Sequence, residues 1–363
     1  MGESISICLV GGEDAHKRIE LSKYLINNNF KVTILGTKDY DYPEGITFIK
    51  YKLNRGLNPV SDFKTVLEYR KIVRENGFDI VQTFDTKPAF LFPFAMFGIK
   101  VNIVRTITGL GKVFVSKDLK SKPLRWLYLF LHFIVRNKVS HTTFQNKDDR
   151  DLFMRNKLIK PTTYSMIYGS GIDLNKITTI APRKADPFSV ICVSRLIYEK
   201  GITYYMEAAK ICAERGHAFK FLLVGPLEEN SEKLNEGIIG QYEKYVSWLG
   251  TRNDVDALLL ASDIFVLPTF YREGFARVLL EASAVGLPLV TTNVPGVTDI
   301  ARHQKEALIV PPKNASDLAQ AIIDLAEDQD LADRLSKNAL LNVKQYSMEV
   351  ISKNYVTLYK AIL

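Results

Sequence analysis

Residues 5–12 run Ile5-Ser6-Ile7-Cys8-Leu9-Val10-Gly11-Gly12, and residues 188–194 repeat the pattern as Phe188-Ser189-Val190-Ile191-Cys192-Val193-Ser194. Each is a strand entering a loop and then a helix. Short apolar runs of this kind alternate with helical patterns along the whole chain, which argues for parallel sheets built from βαβ units. Outward from the first run, strands are expected at 4–11, 31–36, 46–51, 79–84, 101–106, 141–145 and 163–168. Between the first two, Lys17 to Asn29 places Leu21, Leu25 and Ile26 on one helical face. Outward from the second run, helices at 201–215, 231–244, 254–261, 274–285 and 296–302 alternate with strands at 218–224, 245–249, 263–267, 288–292 and 307–310.

A chain of 363 residues is long for one ordinary domain and comfortable for two. The stretch 169–187 holds Gly169, Gly171, Pro182, Arg183, Lys184 and Pro187 and suits a linker. The expected architecture is α/β, with two Rossmann-like domains at 1–169 and 170–346. A last helix, 347–363, is expected to return to the first domain. Ligands bind off the carboxyl ends of parallel strands, so the expected site is a cleft that two such sheets face across.

Composition narrows the class. Apolar residues make up 47% and charged residues 24%, enough for two ordinary soluble cores. No apolar run approaches the roughly 20 residues that span a bilayer. The N-terminus has no basic region and is expected to be a first strand, not a signal peptide. Cys8, Cys192 and Cys212 are too few and too scattered for a disulfide framework or zinc site, so a reducing cytosol is the expected compartment. The net charge is +8, and its placement is telling. Lys100, Arg105, Lys112, Lys117, Lys120, Lys122, Arg125, Arg136 and Lys138 face only Asp118 in that stretch, which therefore carries the whole excess. Such a patch implies an anionic partner at one face.

The sharpest chemical signal is Glu273-Gly274-Phe275-Ala276-Arg277-Val278-Leu279-Leu280-Glu281. It follows the apolar strand Asp263 to Pro268. Glu273 is expected just before a helix and Glu281 about two turns along it. Gly274 permits close approach of a ligand. The amides around Val278 and Leu279 suit a diphosphate at the helix start. A second signal is Ser194-Arg195-Leu196-Ile197-Tyr198-Glu199-Lys200-Gly201, where two cations converge at a strand's carboxyl end and can neutralise a leaving diphosphate. A third, weaker one is Gly11-Gly12 after the first strand. Asp149-x-Asp151 and Asp254-x-Asp256 have the form of a metal-binding pair, but both lie in charged helical context where helix capping is the better use.

These motifs, with Tyr168-Gly169-Ser170-Gly171-Ile172-Asp173 and Leu308-Ile309-Val310-Pro311-Pro312, resemble the retaining glycosyltransferases of the GT-B fold, family 4. Thr83-Phe84-Asp85-Thr86-Lys87-Pro88 and Arg105-Thr106-Ile107-Thr108-Gly109-Leu110-Gly111-Lys112-Val113-Phe114 look like the subgroup that extends undecaprenyl-diphosphate-linked sugars, nearest its α-1,3-N-acetylgalactosaminyltransferases. The resemblance implies a nucleotide-sugar donor, with UDP favoured, and a lipid-linked diphosphate saccharide as acceptor. Glu273 would contact donor-sugar hydroxyls and Glu281 the ribose. Arg195 and Lys200 would hold the diphosphate as catalytic cations beside Glu273. Gly274, Phe275, Val278 and Leu279 would complete the donor site, with Gly11 and Gly12 facing the same phosphates. His16, Lys87, Arg105, Thr108 and Lys112 are the acceptor-side candidates. Thr108 stands about where many members carry a histidine. No metal and no cofactor beyond the donor are expected.

The run Trp126 to Val135, flanked by Arg125, Arg136 and Lys138, is apolar nearly all round, and Phe90 to Phe97 is a second aromatic-rich run. Together with Lys117, Lys120 and Lys122 they predict peripheral docking on an anionic membrane surface. A nucleotide-sugar epimerase or hydrolase on the same fold is the alternative. Nothing resembles a nucleic-acid module, so no nucleic-acid partner is expected.

Overall fold

The computed structural model describes residues 4–54, 56–110, 114, 121–177, 187–228 and 232–363. Two compact units result: residues 1–171 with 348–363, and residues 172–347.

In the first unit the elements are β1 (Ile5–Val10), α1 (Ile19–Ile26), β2 (Phe30–Gly36), β3 (Ile46–Lys50), α2 (Pro59–Asn76), β4 (Ile80–Thr83), α3 (Pro88–Ala95), β5 (Asn102–Ile107), α4 (Ser121–Val135), β6 (His141–Phe144), α5 (Lys147–Arg155) and β7 (Tyr164–Met166). The strands form one sheet in the order β3-β2-β1-β4-β5-β6-β7, with every pairing parallel. The pleat sorts neighbouring residues to opposite faces. Ile7, Leu9, Val32 and Ile34 join the cluster on one face, with Leu21 and Leu25 of α1. Cys8, Val10, Leu35 and Val81 join the other, with Val66 and Tyr69 of α2, Phe90 and Phe92 of α3, and Val135 of α4. Burial on both faces explains why the strands are apolar runs without a polar alternation.

The second unit runs β8 (Ser189–Val193), α6 (Ile202–Glu214), β9 (Lys220–Val224), α7 (Glu236–Gly240), β10 (Val246–Trp248), α8 (Val255–Leu260), β11 (Ile264–Leu267), α9 (Arg277–Val285), β12 (Leu289–Thr292), β13 (Leu308–Val310), α10 (Ala315–Glu327) and α11 (Gln329–Val343). Its strand order is β10-β9-β8-β11-β12-β13, again all parallel. After it comes α12 (Met348–Ile362), which belongs to the first unit. There Tyr355 and Tyr359 are buried with Phe30 and Phe84.

Three expected helices differ. The one at 231–244 forms only over α7, where Asn235 caps the start by accepting from the Ile238 amide and turns follow from Gln241. The one at 274–285 begins at Arg277, because the Ala276 amide donates to the Gly296 carbonyl and keeps the preceding residues in a loop. The one at 296–302 is a run of turns up to Ile300.

Arg105 is the main correction. It was expected on the acceptor side and in the basic patch, yet it is fully buried on β5. Its guanidinium donates to His132 Nδ1 at 2.8 Å, and to Thr142 Oγ1 and the Leu158 carbonyl at 3.2 Å each. Burial lowers it to about 10. The bond to Nδ1 places the His132 proton on Nε2. Burial, with the Arg105 charge beside it, holds that imidazole well below its ordinary range. Lys138 is likewise drawn in, donating to the Ile99 carbonyl. Lys112, Lys117 and Lys120 lie outside the described residues. Lys100 and Lys122 are exposed, and Arg125 and Arg136 half-buried.

Arg105 is thus a strut, and Arg105→Ala is expected to lower unfolding free energy by about 3 kcal/mol in urea titrations, since it leaves a cavity and orphaned acceptors. The folded His132 resists protonation, so below pH about 6.5 the unfolded chain binds a proton that the folded chain refuses. Stability should therefore fall as the pH drops from 7 to 5, and His132→Phe should flatten that slope.

Candidate functional site

In a doubly wound sheet the loops part where the strand order reverses, and ligands bind there. In the second unit that point lies between β8 and β11. The β8 loop carries Arg195 and Lys200, and the β11 loop carries Glu273. Lys200 Nζ meets Glu273 Oε1 at 2.5 Å, with side chains 13% and 10% exposed. Thr269 Oγ1 donates to the same oxygen at 3.1 Å.

Backbone contacts force this meeting. Gly201 has φ +76°, and a Cβ there would fall 2.0 Å from the Pro268 carbonyl oxygen. The Phe270 amide donates to the Glu199 carbonyl at 2.9 Å, stitching the two loops. Gly296 has φ +77°, and its Cβ would fall 2.4 Å from the Glu273 carbonyl oxygen. No side chain fits at either place without moving a loop. The Arg195 side chain is exposed and has no ion-pair partner among the described residues. A buried, oriented carboxylate beside one half-buried and one exposed cation can bind a polyol and a diphosphate together.

The remaining donor-side candidates sit close by in sequence, with changes of detail. Glu281 lies one turn into α9, not two, and Arg277 Nε donates to its Oε1 at 3.0 Å. Burial raises the Glu281 carboxyl, against the pull of Arg277. The Leu279 amide, expected to face a phosphate, donates to the Ala276 carbonyl at 2.9 Å, and the Leu279 side chain is buried. Val278 and Gly274 are half-buried, and Phe275 packs edge-on to Tyr346 at 5.3 Å between centroids.

The first unit reverses its strand order between β1 and β4. There a cavity of about 300 Å³ is lined by Gly12, Asp14, Asp85, Thr86, Lys87 and Thr108, among others. The two glycines expected to face phosphate do not offer their amides to it. The Gly11 amide donates to the Leu35 carbonyl at 2.9 Å, and the Gly12 amide to Asp85 Oδ2 at 2.7 Å. Asp85 adopts φ +70°, a conformation aspartate tolerates better than most side chains. Lys87 is committed to Asp62 at 2.5 Å and to the Gly56 carbonyl at 2.6 Å. With two carboxylates and two threonines, this pocket suits sugar hydroxyls better than a bare phosphate.

Of the acceptor-side candidates, Lys87 and Thr108 therefore share one cavity. Arg105 is in the core. His16 stacks on Tyr40 at 4.7 Å between centroids and is not part of the lining. Asp14 and Asp85 were not singled out in the sequence; Asp85 lay inside a quoted motif, and its carboxylate's grip on Gly12 comes from across the sheet. Asp149 is buried at the start of α5, where Asn146 caps the helix and bonds it. Asp254 precedes α8 and pairs with Arg252 at 2.6 Å, making no side-chain cap bond.

Comparison with known proteins agrees with this layout. The family of glycosyl transferases group 1 matches residues 175–341, and the glycosyl transferase 4-like family matches residues 6–146. The chain is 28% identical to an N,N'-diacetylbacillosaminyl-diphospho-undecaprenol alpha-1,3-N-acetylgalactosaminyltransferase of Campylobacter jejuni, over 97% of each chain. It is 25% identical to the UDP-Gal:alpha-D-GlcNAc-diphosphoundecaprenol alpha-1,3-galactosyltransferase of Escherichia coli, over 89% of this chain and 87% of that one. In fold it is similar to sucrose-phosphate synthase from Thermosynechococcus elongatus, with a TM-score of 0.83, 18% identity and 99% of each chain covered. Two parallel α/β units, a carboxylate and cation pair at the switch point of the second, and matches spanning nearly the whole chain lead to one conclusion: the chain belongs to the family 4 glycosyltransferases of the GT-B fold.

Proposed function

We propose that this enzyme moves a sugar, N-acetylgalactosamine or a related hexose or HexNAc, from a UDP-sugar to an undecaprenyl-diphosphate-linked saccharide, with retention at the anomeric carbon. The acceptor chemistry follows the two relatives that match over most of their length. The observation that carries the transferase chemistry is the Lys200–Glu273 pair, held by backbone contacts at the strand-order reversal.

Retention needs no strong protein base. The bond from the anomeric carbon to the phosphate oxygen breaks, and positive charge builds on the ring. The acceptor oxygen bonds to the same face of that carbon, and its proton passes to the departing phosphate oxygen. The protein's task is positioning and charge stabilisation. Arg195 and Lys200 neutralise the leaving diphosphate. Lys200 meets a phosphate oxygen from its place beside Glu273, and the Glu273 carboxylate, held also by Thr269, binds donor hydroxyls. Glu281 holds the ribose. The Asp85 and Thr108 cavity receives acceptor sugar hydroxyls. The enzyme works at the cytoplasmic face of the plasma membrane, bound peripherally, because its acceptor is anchored there.

Glu273→Gln and Lys200→Ala should each lower kcat by about 10²-fold or more in a UDP-release assay, in line with the loss of one preorganised electrostatic group. Gly296→Ala should reproduce most of that loss and also lower the melting temperature, because a Cβ at φ +77° overlaps the Glu273 carbonyl and forces the loop to shift. Asp85→Asn should raise acceptor KM about tenfold with donor KM unchanged, the cost of one charge-assisted hydrogen bond. Free sugar or an epimer formed without acceptor would favour a hydrolase or epimerase instead. Product anomer, read by NMR, tests retention.

A further inference from the structure

Fourteen large apolar side chains are exposed among the described residues, and ten of them lie on or beside α2, α3 and α4. These three helices cover the same face of the first unit's sheet. On α2, Val60, Phe63 and Leu67 are 69%, 62% and 51% exposed and follow one helical stripe, while Val66, Tyr69 and Val73 face inward. Arg70 bonds the Ala95 and Phe97 carbonyls, clipping α2 to the end of α3, where Phe94 and Phe97 are also exposed. On α4, Trp126, Phe130 and Phe133 form a second stripe, with Trp126 75% exposed. A contiguous apolar face of this kind marks an interaction surface.

Charge decides what covers it. The α2 stripe continues into exposed Lys64 and Arg74, with Lys71 between them paired to Glu75. The α4 stripe begins at exposed Lys122 and ends at Arg136, whose guanidinium lies 3.8 Å over the Phe133 ring. The acids of α2 are engaged: Asp62 with Lys87, Glu68 with the Lys52 amide and Glu75 with Lys71. A second copy laid on this face by a two-fold axis would set basic rim against basic rim. An aromatic-rich surface with a basic edge instead fits the interface of an anionic bilayer.

We propose that α2, α3 and α4 together form a membrane-insertion face, held chiefly by apolar contact, with α2 as a full partner and the basic residues as its rim. The face begins at the acceptor cavity: Lys87, which lines it, is bonded to Asp62 of α2 and to Gly56, next to exposed Leu57. This deepens the proposed function, since it rests on a lipid-linked acceptor and brings its headgroup level with the pocket mouth.

The test is flotation with vesicles of phosphatidylcholine containing about one fifth phosphatidylglycerol. The double variants Phe63→Glu/Leu67→Glu and Trp126→Glu/Phe130→Glu should each cut the bound fraction at least about tenfold. Raising salt to about 0.5 M should cost the unaltered protein less than about threefold. In parallel, turnover with a short-chain, water-soluble acceptor should stay within about twofold in both variants, showing that they fold. Absent turnover in the unaltered protein would sink the functional reading but leave the flotation result standing. As a second measurement, Trp248→Phe leaves Trp126 as the only tryptophan. Brominated lipid should then quench its fluorescence. Unchanged flotation of both variants, unquenched Trp126, binding abolished by salt alone, or a dimer broken by these substitutions would each overturn the proposal.

Discussion

The site rests on a contact between backbones. Gly201 sits where its missing side chain would overlap the Pro268 carbonyl, and Gly296 sits likewise against the Glu273 carbonyl. Only through that closeness does a lysine on one loop reach a glutamate on the other within a single hydrogen-bond length. Ion pairs between flexible side chains are weak when water surrounds them. Here both partners are largely covered, and Thr269 fixes the carboxylate from a third direction. The result is a carboxylate whose position is set before any ligand arrives. Preorganisation of this kind gives electrostatic catalysis its strength, because the reaction then requires little rearrangement of charge.

The same economy governs the first unit by other means. Asp85 takes a backbone conformation that side chains seldom adopt, and it ties down the Gly12 amide. Strain at one residue is tolerable when neighbouring structure over-determines it. In this case a seven-stranded sheet packed on both faces supplies that rigidity. The pocket that results is lined by the carboxylates of Asp14 and Asp85 and the hydroxyls of Thr86 and Thr108, beside Lys87.

Much of this was legible in the sequence. The strands were visible because double-sided burial demands uninterrupted apolar runs, and because the pattern at Ile5 returns at Ser189. Glu273 and Lys200 were visible because motif and strand order put both at one sheet edge. What was hidden depends on distant partners. The start of α9 is set by Gly296, some twenty residues onward, which no local signal announces. Arg105 looked like a ligand-binding cation, yet the flanking Ile103, Val104 and Ile107 mark a strand buried on both sides. A guanidinium there must find internal acceptors, and it does so in His132, Thr142 and Leu158. The outward stripe of α2 also escaped notice, since Val60, Phe63 and Leu67 alternate with polar residues and match an ordinary core-facing pattern until burial shows which side faces in.

Helix α12 adds a consequence for biosynthesis. It completes the first unit, burying Tyr355 and Tyr359 beside Phe30 and Phe84, yet it follows every residue of the second unit in the chain. A ribosome therefore finishes the second unit before the first can close its core. Until then the apolar side chains that α12 covers, Phe30 and Phe84 among them, lack the partners that Tyr355 and Tyr359 supply. Nicking the chain anywhere in the second unit would put the first unit's last helix on a separate fragment.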